Sequence, residues 1–132
     1  MFFSELKSVP VPDSQFTVVE PTTGVHRSCT ASIISLPKIG DDTIDVALYK
    51  TAIVLSCLHK DGKPVLPDFL KQEFNLECAS LPDCYKHMQD AAEVYNRFAD
   101  MCPNSFMQRA FDIIDKDIVM YTSKAQDAVK NA

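Results

Sequence analysis

Three histidines (His26, His59, His87) and five cysteines (Cys29, Cys57, Cys78, Cys84, Cys102) are the residues of this 132-residue chain best suited to metal or nucleophilic chemistry. Cys78, Cys84 and His87 lie close in sequence, with Cys102 further on. The persuasive sign of a zinc site is a C-x-x-C pair, and none occurs. Cys84 and His87, three apart, would share a helix face, but a core cysteine beside a surface histidine gives the same pattern. A Cys/His nucleophile can assemble from distant positions. No motif surrounds any of these residues, however, and an acidic chain offers little positive field to hold a thiolate. With no secretory leader at Met1-Phe2-Phe3-Ser4, the expectation is reduced thiols packed as small hydrophobes.

The carboxylates read as structural in the same way. Asp41, Asp42 and Asp45 gather where a helix should begin, a place that favours negative charge. Asp112, Asp115 and Asp117 share a helical region with Lys116 and lack calcium-loop spacing. Acid–base catalysis by paired carboxylates needs one of them in an apolar pocket, and no such setting is visible. Three glycines (Gly24, Gly40, Gly62) form no phosphate-cradling loop. No catalytic residue, metal site or cofactor is therefore expected.

The charge balance narrows the partners. A formal net charge of −5 and a pI near 5.0 provide no basic face to displace counterions from nucleic acid or to meet an anionic membrane. The longest apolar-rich stretch, 44–58, is interrupted by Asp45, Lys50 and Thr51 and is too short to span a bilayer. A cytoplasmic protein that binds other proteins is the class left standing.

The elements that position these residues fall into two parts. Residues 1–40 hold four prolines (Pro10, Pro12, Pro21, Pro37) among Thr, Ser and Val. Phe16-Thr17-Val18-Val19-Glu20 reads as a strand, Pro21-Thr22-Thr23-Gly24 as a turn, and 25–30 as the returning strand of a hairpin. Residues 41–121 read as a helical core. Asp42 is expected to cap a first helix carrying Ile44, Leu48, Ala52, Leu55 and Leu58 and ending at Lys60-Asp61-Gly62. This helix should be the most buried. A short helix after Pro67 carries Phe69, Leu70 and Phe74. Ser80-Leu81-Pro82-Asp83 reads as a capping box opening a third helix with Tyr85, Met88, Ala92, Tyr95 and Ala99, stopped by Pro103. Asn104 is expected to cap the last helix, and 122–132 reads as a fraying tail. The fold class is mainly α, about four helices with a small N-terminal β-hairpin (α+β), in one domain over 1–132.

The last helix carries the candidate binding residues. Phe106, Phe111, Ile114 and Ile118, with Ala110 and Tyr121, form an apolar stripe that serves either as core or as a partner-binding face. If the stripe is a binding face, Ile114→Asp should weaken association more than folding.

One pattern extends over about residues 9–100. A Val/Pro/Thr-rich β segment precedes the apolar helix 44–58, which runs into Lys60-Asp61-Gly62-Lys63-Pro64-Val65. Leu81-Pro82 and then Asp90-Ala91-Ala92-Glu93-Val94-Tyr95-Asn96-Arg97-Phe98 follow. This order resembles the tail assembly chaperones of long-tailed bacteriophages. The resemblance implies a non-enzymatic protein of the host cytoplasm that self-associates, binds the tape-measure protein and hands it over as tail-tube subunits polymerise. Five cysteines and a long helical end beyond Asn104 depart from the family pattern. The alternative from the residues alone is a helical adaptor or regulatory module unrelated to phage.

Overall fold

The computed structural model describes residues 6–36, 38–39 and 43–118. At its centre lies helix α2 (Val46–Cys57), in which nine side chains, all of those from Leu48 to Cys57 except Lys50, are buried. A helix apolar on every side belongs inside a protein, and four other helices, Thr23–Ile34, Val65–Phe74, Ala91–Met101 and Asn104–Ile113, surround this one. Its cap is Asp45, whose Oδ1 accepts from the Leu48 amide at 3.1 Å. Asp42, the cap expected from the sequence, lies outside the described residues. The two polar side chains inside are satisfied by their own helix. Thr51 Oγ1 donates to the Ala47 carbonyl and Ser56 Oγ to that of Ala52, both at 2.8 Å.

The helix stops at Cys57, five residues before Gly62, because Leu58 turns extended (φ −78, ψ 130) and enters a sheet. That sheet is antiparallel with the order β1-β2-β5-β6: Ser8–Pro10, Phe16–Val19, Leu58–Lys60 and Lys63–Pro64. Val18 pairs with both Val9 and Leu58. Asp61 (φ 54) and Gly62 (φ 78) both sit in the left-handed region, the requirement of a two-residue hairpin turn joining β5 to β6. Lys60-Asp61-Gly62-Lys63 is therefore a hairpin and no helix cap. A second, two-stranded ladder pairs β3 (Lys38–Ile39) with β4 (Thr43–Ile44).

The strand expected over 16–20 is present, but its expected partner is not. Residues 25–30 lie in helix α1 (Thr23–Ile34), capped by Thr22, whose Oγ1 accepts from the Val25 amide. Val25, Cys29 and Ile33 are buried at four-residue spacing, a helical stripe. The partner of β2 on that side is β1.

Helix α3 (Val65–Phe74) ends on Asn75 in the left-handed conformation. The amides of Asn75 and Leu76 reach back to Lys71 and Leu70, closing its last turn. The single helix expected between Ser80 and Cys102 is two, α4 (Leu81–His87) and α5 (Ala91–Met101). Each has its own cap: Ser80 Oγ accepts from the Asp83 amide, and Asp90 Oδ1 from the Glu93 amide. The Asx cap at Asp90 opens the second helix. Helix α6 (Asn104–Ile113) has Pro103 at its cap position with no side-chain cap bond, so Asn104 is its first helical residue. It runs on into a π-helical turn over Ile114–Ile118. With six helices and a small antiparallel sheet among the described residues, the α+β class holds and the helix count of about four was low. The tail expected to fray over 122–132, like Tyr121, lies outside the described residues.

Candidate functional site

The apolar stripe of the last helix faces inward. Ile114 is 0% exposed, Ile118 7% and Phe106 9%, and Phe111 is half-buried beneath the Lys50 ammonium, which stands 5.1 Å from its ring centre. Phe106 meets Phe16 of the sheet edge-on at 5.2 Å, while the Arg109 guanidinium stands 5.8 Å from its ring centre and hydrogen-bonds to the Pro12 carbonyl. These residues fasten α6 to α2 and the sheet. Of the two readings of the stripe formed by Phe106, Phe111, Ile114 and Ile118, core or partner-binding face, this burial supports core packing.

The titratable groups separate instead of converging. His87 faces Asp83 at 3.3 Å, and His59 Nδ1 lies 3.2 Å from the Cys57 carbonyl. His26 Nε2 is buried without a hydrogen-bond partner among the described residues. No group of three or more metal-ligating side chains forms among the described residues, so Cys78, Cys84, His87 and Cys102 do not converge as one ligand set. Asp112 is paired with Lys116 at 3.1 Å on an exposed face.

A buried polar network ties four helices. Ser32 Oγ donates to the Cys29 carbonyl at 2.8 Å, so the Tyr95 hydroxyl 2.7 Å away is the donor to Ser32. By the same count, Ser56 donates to the Ala52 carbonyl and receives the Tyr85 hydroxyl. The Cys29 thiol also donates to that Ala52 carbonyl, at 3.8 Å. Helices α1, α2, α4 and α5 are thus joined through hydroxyls and one thiol. Burial pushes Cys29 up to about 11 and raises Tyr85 and Tyr95 above their ordinary range. A thiol held protonated there is no nucleophile at neutral pH.

In front of this network, α1 and the α4–α5 turn form the walls of an open groove of about 520 Å³. Gly24, Ser28, Ala31 and Ser35 give it a low wall on α1, and Tyr85 and Met88 stand opposite. Ser32 and Tyr85 belong both to the groove and to the network. No protein-family model, curated protein or solved structure matches this chain.

A second groove of about 390 Å³ opens between α2, α5 and α6, with Val46, Ala47, Cys102 and Met107 in its walls. Val46 is 42% exposed, one of the few large apolar side chains turned outward. No helix among the described residues is long and apolar enough to cross a membrane.

Sequence reasoning missed the α1 groove because it read residues 25–30 as a strand. The spacing of Val25, Cys29, Ile33 and Leu36 on one face, with Gly24, Ser28, Ala31 and Ser35 on the other, was the available sign.

Proposed function

We propose that the chain is a non-enzymatic protein-binding module that seats a helix of its partner in the groove between α1 and the α4–α5 turn. The observation that carries this reading is the pairing of small residues with apolar ones across the groove. Side chains no larger than serine on α1 let a partner backbone approach closely, and Tyr85 and Met88 offer adaptable apolar contact. The hydroxyl network behind the wall holds the four helices in fixed relation, so little ordering cost is left to binding.

Both edges of the main sheet argue against partner addition there. The amide of Val11 faces β2, so alternation turns Pro10 outward, where it has no N–H to give. The other edge, β6, is two residues long and contains Pro64.

The biological role follows from the resemblance. The segments that carry it fall on β1 and β2, α2, the Asp61-Gly62 hairpin turn, the first turn of α4 and α5. A phage tail assembly chaperone in the host cytoplasm, shielding the long amphipathic tape-measure helix and engaging tail-tube subunits, is the role we assign. Self-association through helix faces belongs to the same proposal.

The test is co-expression with a tape-measure protein from the same genome. Wild type should raise the soluble fraction of that protein, and Ala31→Arg, which fills the groove with a good helix former, should not. Equal solubility with both would remove the groove from the account. A genome that encodes no tail proteins would favour the adaptor reading.

A further inference from the structure

The groove assigned to a partner helix does not end at the α4–α5 turn. Beside that turn lies another open groove of about 430 Å³, and Lys86, Met88 and Gln89 line both. Met88 is half-buried against the core, whereas Lys86 and Gln89 are exposed. The floor beyond Met88 is apolar. Phe74 and Leu76 reach it from the end of α3 and the residue after its cap, and Val94 from α5. A flexible thioether at the junction can pack against whatever crosses from one floor to the other.

The two grooves differ in charge. Lys86 is the one charged side chain lining the first among the described residues. The second adds Asp90 and Glu93, together with His87, which faces Asp83 at 3.3 Å. Arg97 is divided between Glu73 at 3.5 Å and Glu93 at 3.9 Å, with its guanidinium over the Phe74 ring at 4.9 Å. Two carboxylates thus share one guanidinium. The rim of this apolar floor stays acidic, in a chain whose net charge is already −5.

Resting on the partner-helix reading above, we infer that the two grooves form one docking trough and that the helix it takes is basic. Lysine or arginine flanks the apolar stripe of that helix where it crosses Asp90 and Glu93. An apolar stripe alone would fit both floors and discriminate against nothing. The carboxylate rim attracts a basic helix and repels an acidic one, so charge supplies the selection. The same rim disfavours a second copy of this acidic chain as the occupant.

Two designed peptides test this by titration calorimetry against the full chain. Both carry the same leucine stripe on one helical face, flanked by lysine in one and by glutamate in the other. The lysine peptide should bind at least about tenfold more tightly, and should lose affinity as salt is raised. Ala31→Gln lengthens the wall of the first groove without adding charge, and Glu93→Lys reverses the rim of the second. Each should weaken the lysine peptide at least about tenfold, with an unchanged circular dichroism spectrum. Loss on Ala31→Gln alone confines docking to the first groove; it overturns the inference and leaves the reading it rests on standing. Equal binding of the two peptides does the same. A lysine peptide that binds wild type and Ala31→Gln equally, or no binding of either peptide, overturns both.

Discussion

The Tyr95 hydroxyl donates to Ser32 Oγ across 2.7 Å, joining α5 to α1 directly behind the groove wall. Tyr95 is fully buried, whereas Ser32 is half-buried and lines the groove. The bond therefore couples the interior to the surface that a partner would meet. Tyr95→Phe removes the donor and leaves Ser32 bonded to the Cys29 carbonyl. We expect a cost of about 1 kcal/mol, measured by urea denaturation, with an unchanged slope. A neutral result would mean that the bond fixes nothing.

Groove occupancy is separable from stability. Ala31 is exposed on a helix face, so Ala31→Arg should shift stability by no more than about 0.5 kcal/mol. Binding should fall at least about tenfold, equivalent to about 1.4 kcal/mol. Circular dichroism and calorimetry on the same samples distinguish a blocked groove from an unfolded protein.

Ile114 supplies the opposite case. Its side chain is 0% exposed, and Ile114→Ala should cost about 2–5 kcal/mol, with Ile114→Asp unfolding the domain outright. Ile34, 70% exposed at the end of α1, should accept serine almost without effect. If Ile114→Asp instead kept a cooperative transition near the wild-type midpoint, the burial of α6 would be wrong.

Alkaline pH should weaken the fold. The Cys29 thiol rises from 9.0 to about 11 and Cys84 from 9.0 to about 12, with Cys57, Tyr85 and Tyr95 also raised, each mainly by desolvation. The native state thus holds protons that the unfolded chain releases above pH 9. This stability is complete below the unfolded values and is lost as pH climbs toward the folded ones, at about 1.4 kcal/mol per pH unit for each such group. The melting temperature should be flat below pH 9 and fall steeply between 9 and 11. A flat profile through 11 would contradict the burial of these groups.

The Asp61-Gly62 turn offers a backbone test. Gly62 has φ +78, and a Cβ placed on it would meet nothing within 4 Å, so only the left-handed backbone opposes a side chain there. Gly62→Ala should cost about 1 kcal/mol, read as a shift of the denaturation midpoint.

Much of this arrangement was legible in the sequence, and the failures have local causes. Helix α2 was readable because nearly every residue from Leu48 to Cys57 is apolar or small, and α3 because Phe69, Leu70 and Phe74 follow a proline turn. The capping box at Ser80 was visible, but the break before α5 was not, since Met88 and Ala92 continue the helical spacing across it. Only Asp90, an Asx cap followed by Glu93, marked the restart. Asp61-Gly62 served equally as helix end or hairpin, and the tertiary pairing of Leu58 with Val18 decided between them. Thr22 read as a turn residue because a cap and a turn use the same side-chain chemistry. The candidate stripe on α6 was found correctly as a stripe, but amphipathicity cannot say whether the apolar face meets its own core or another protein. The α1 groove depended on recognising α1 as a helix.

The most direct measurement is affinity capture with wild type and Ala31→Arg side by side, from cells that make the protein naturally, with bound proteins quantified by mass spectrometry. Wild type should capture a very long, helix-rich protein and tail-tube subunits, both depleted at least about tenfold on the variant. Equal recovery on both, or a single unrelated regulator on wild type, would contradict it.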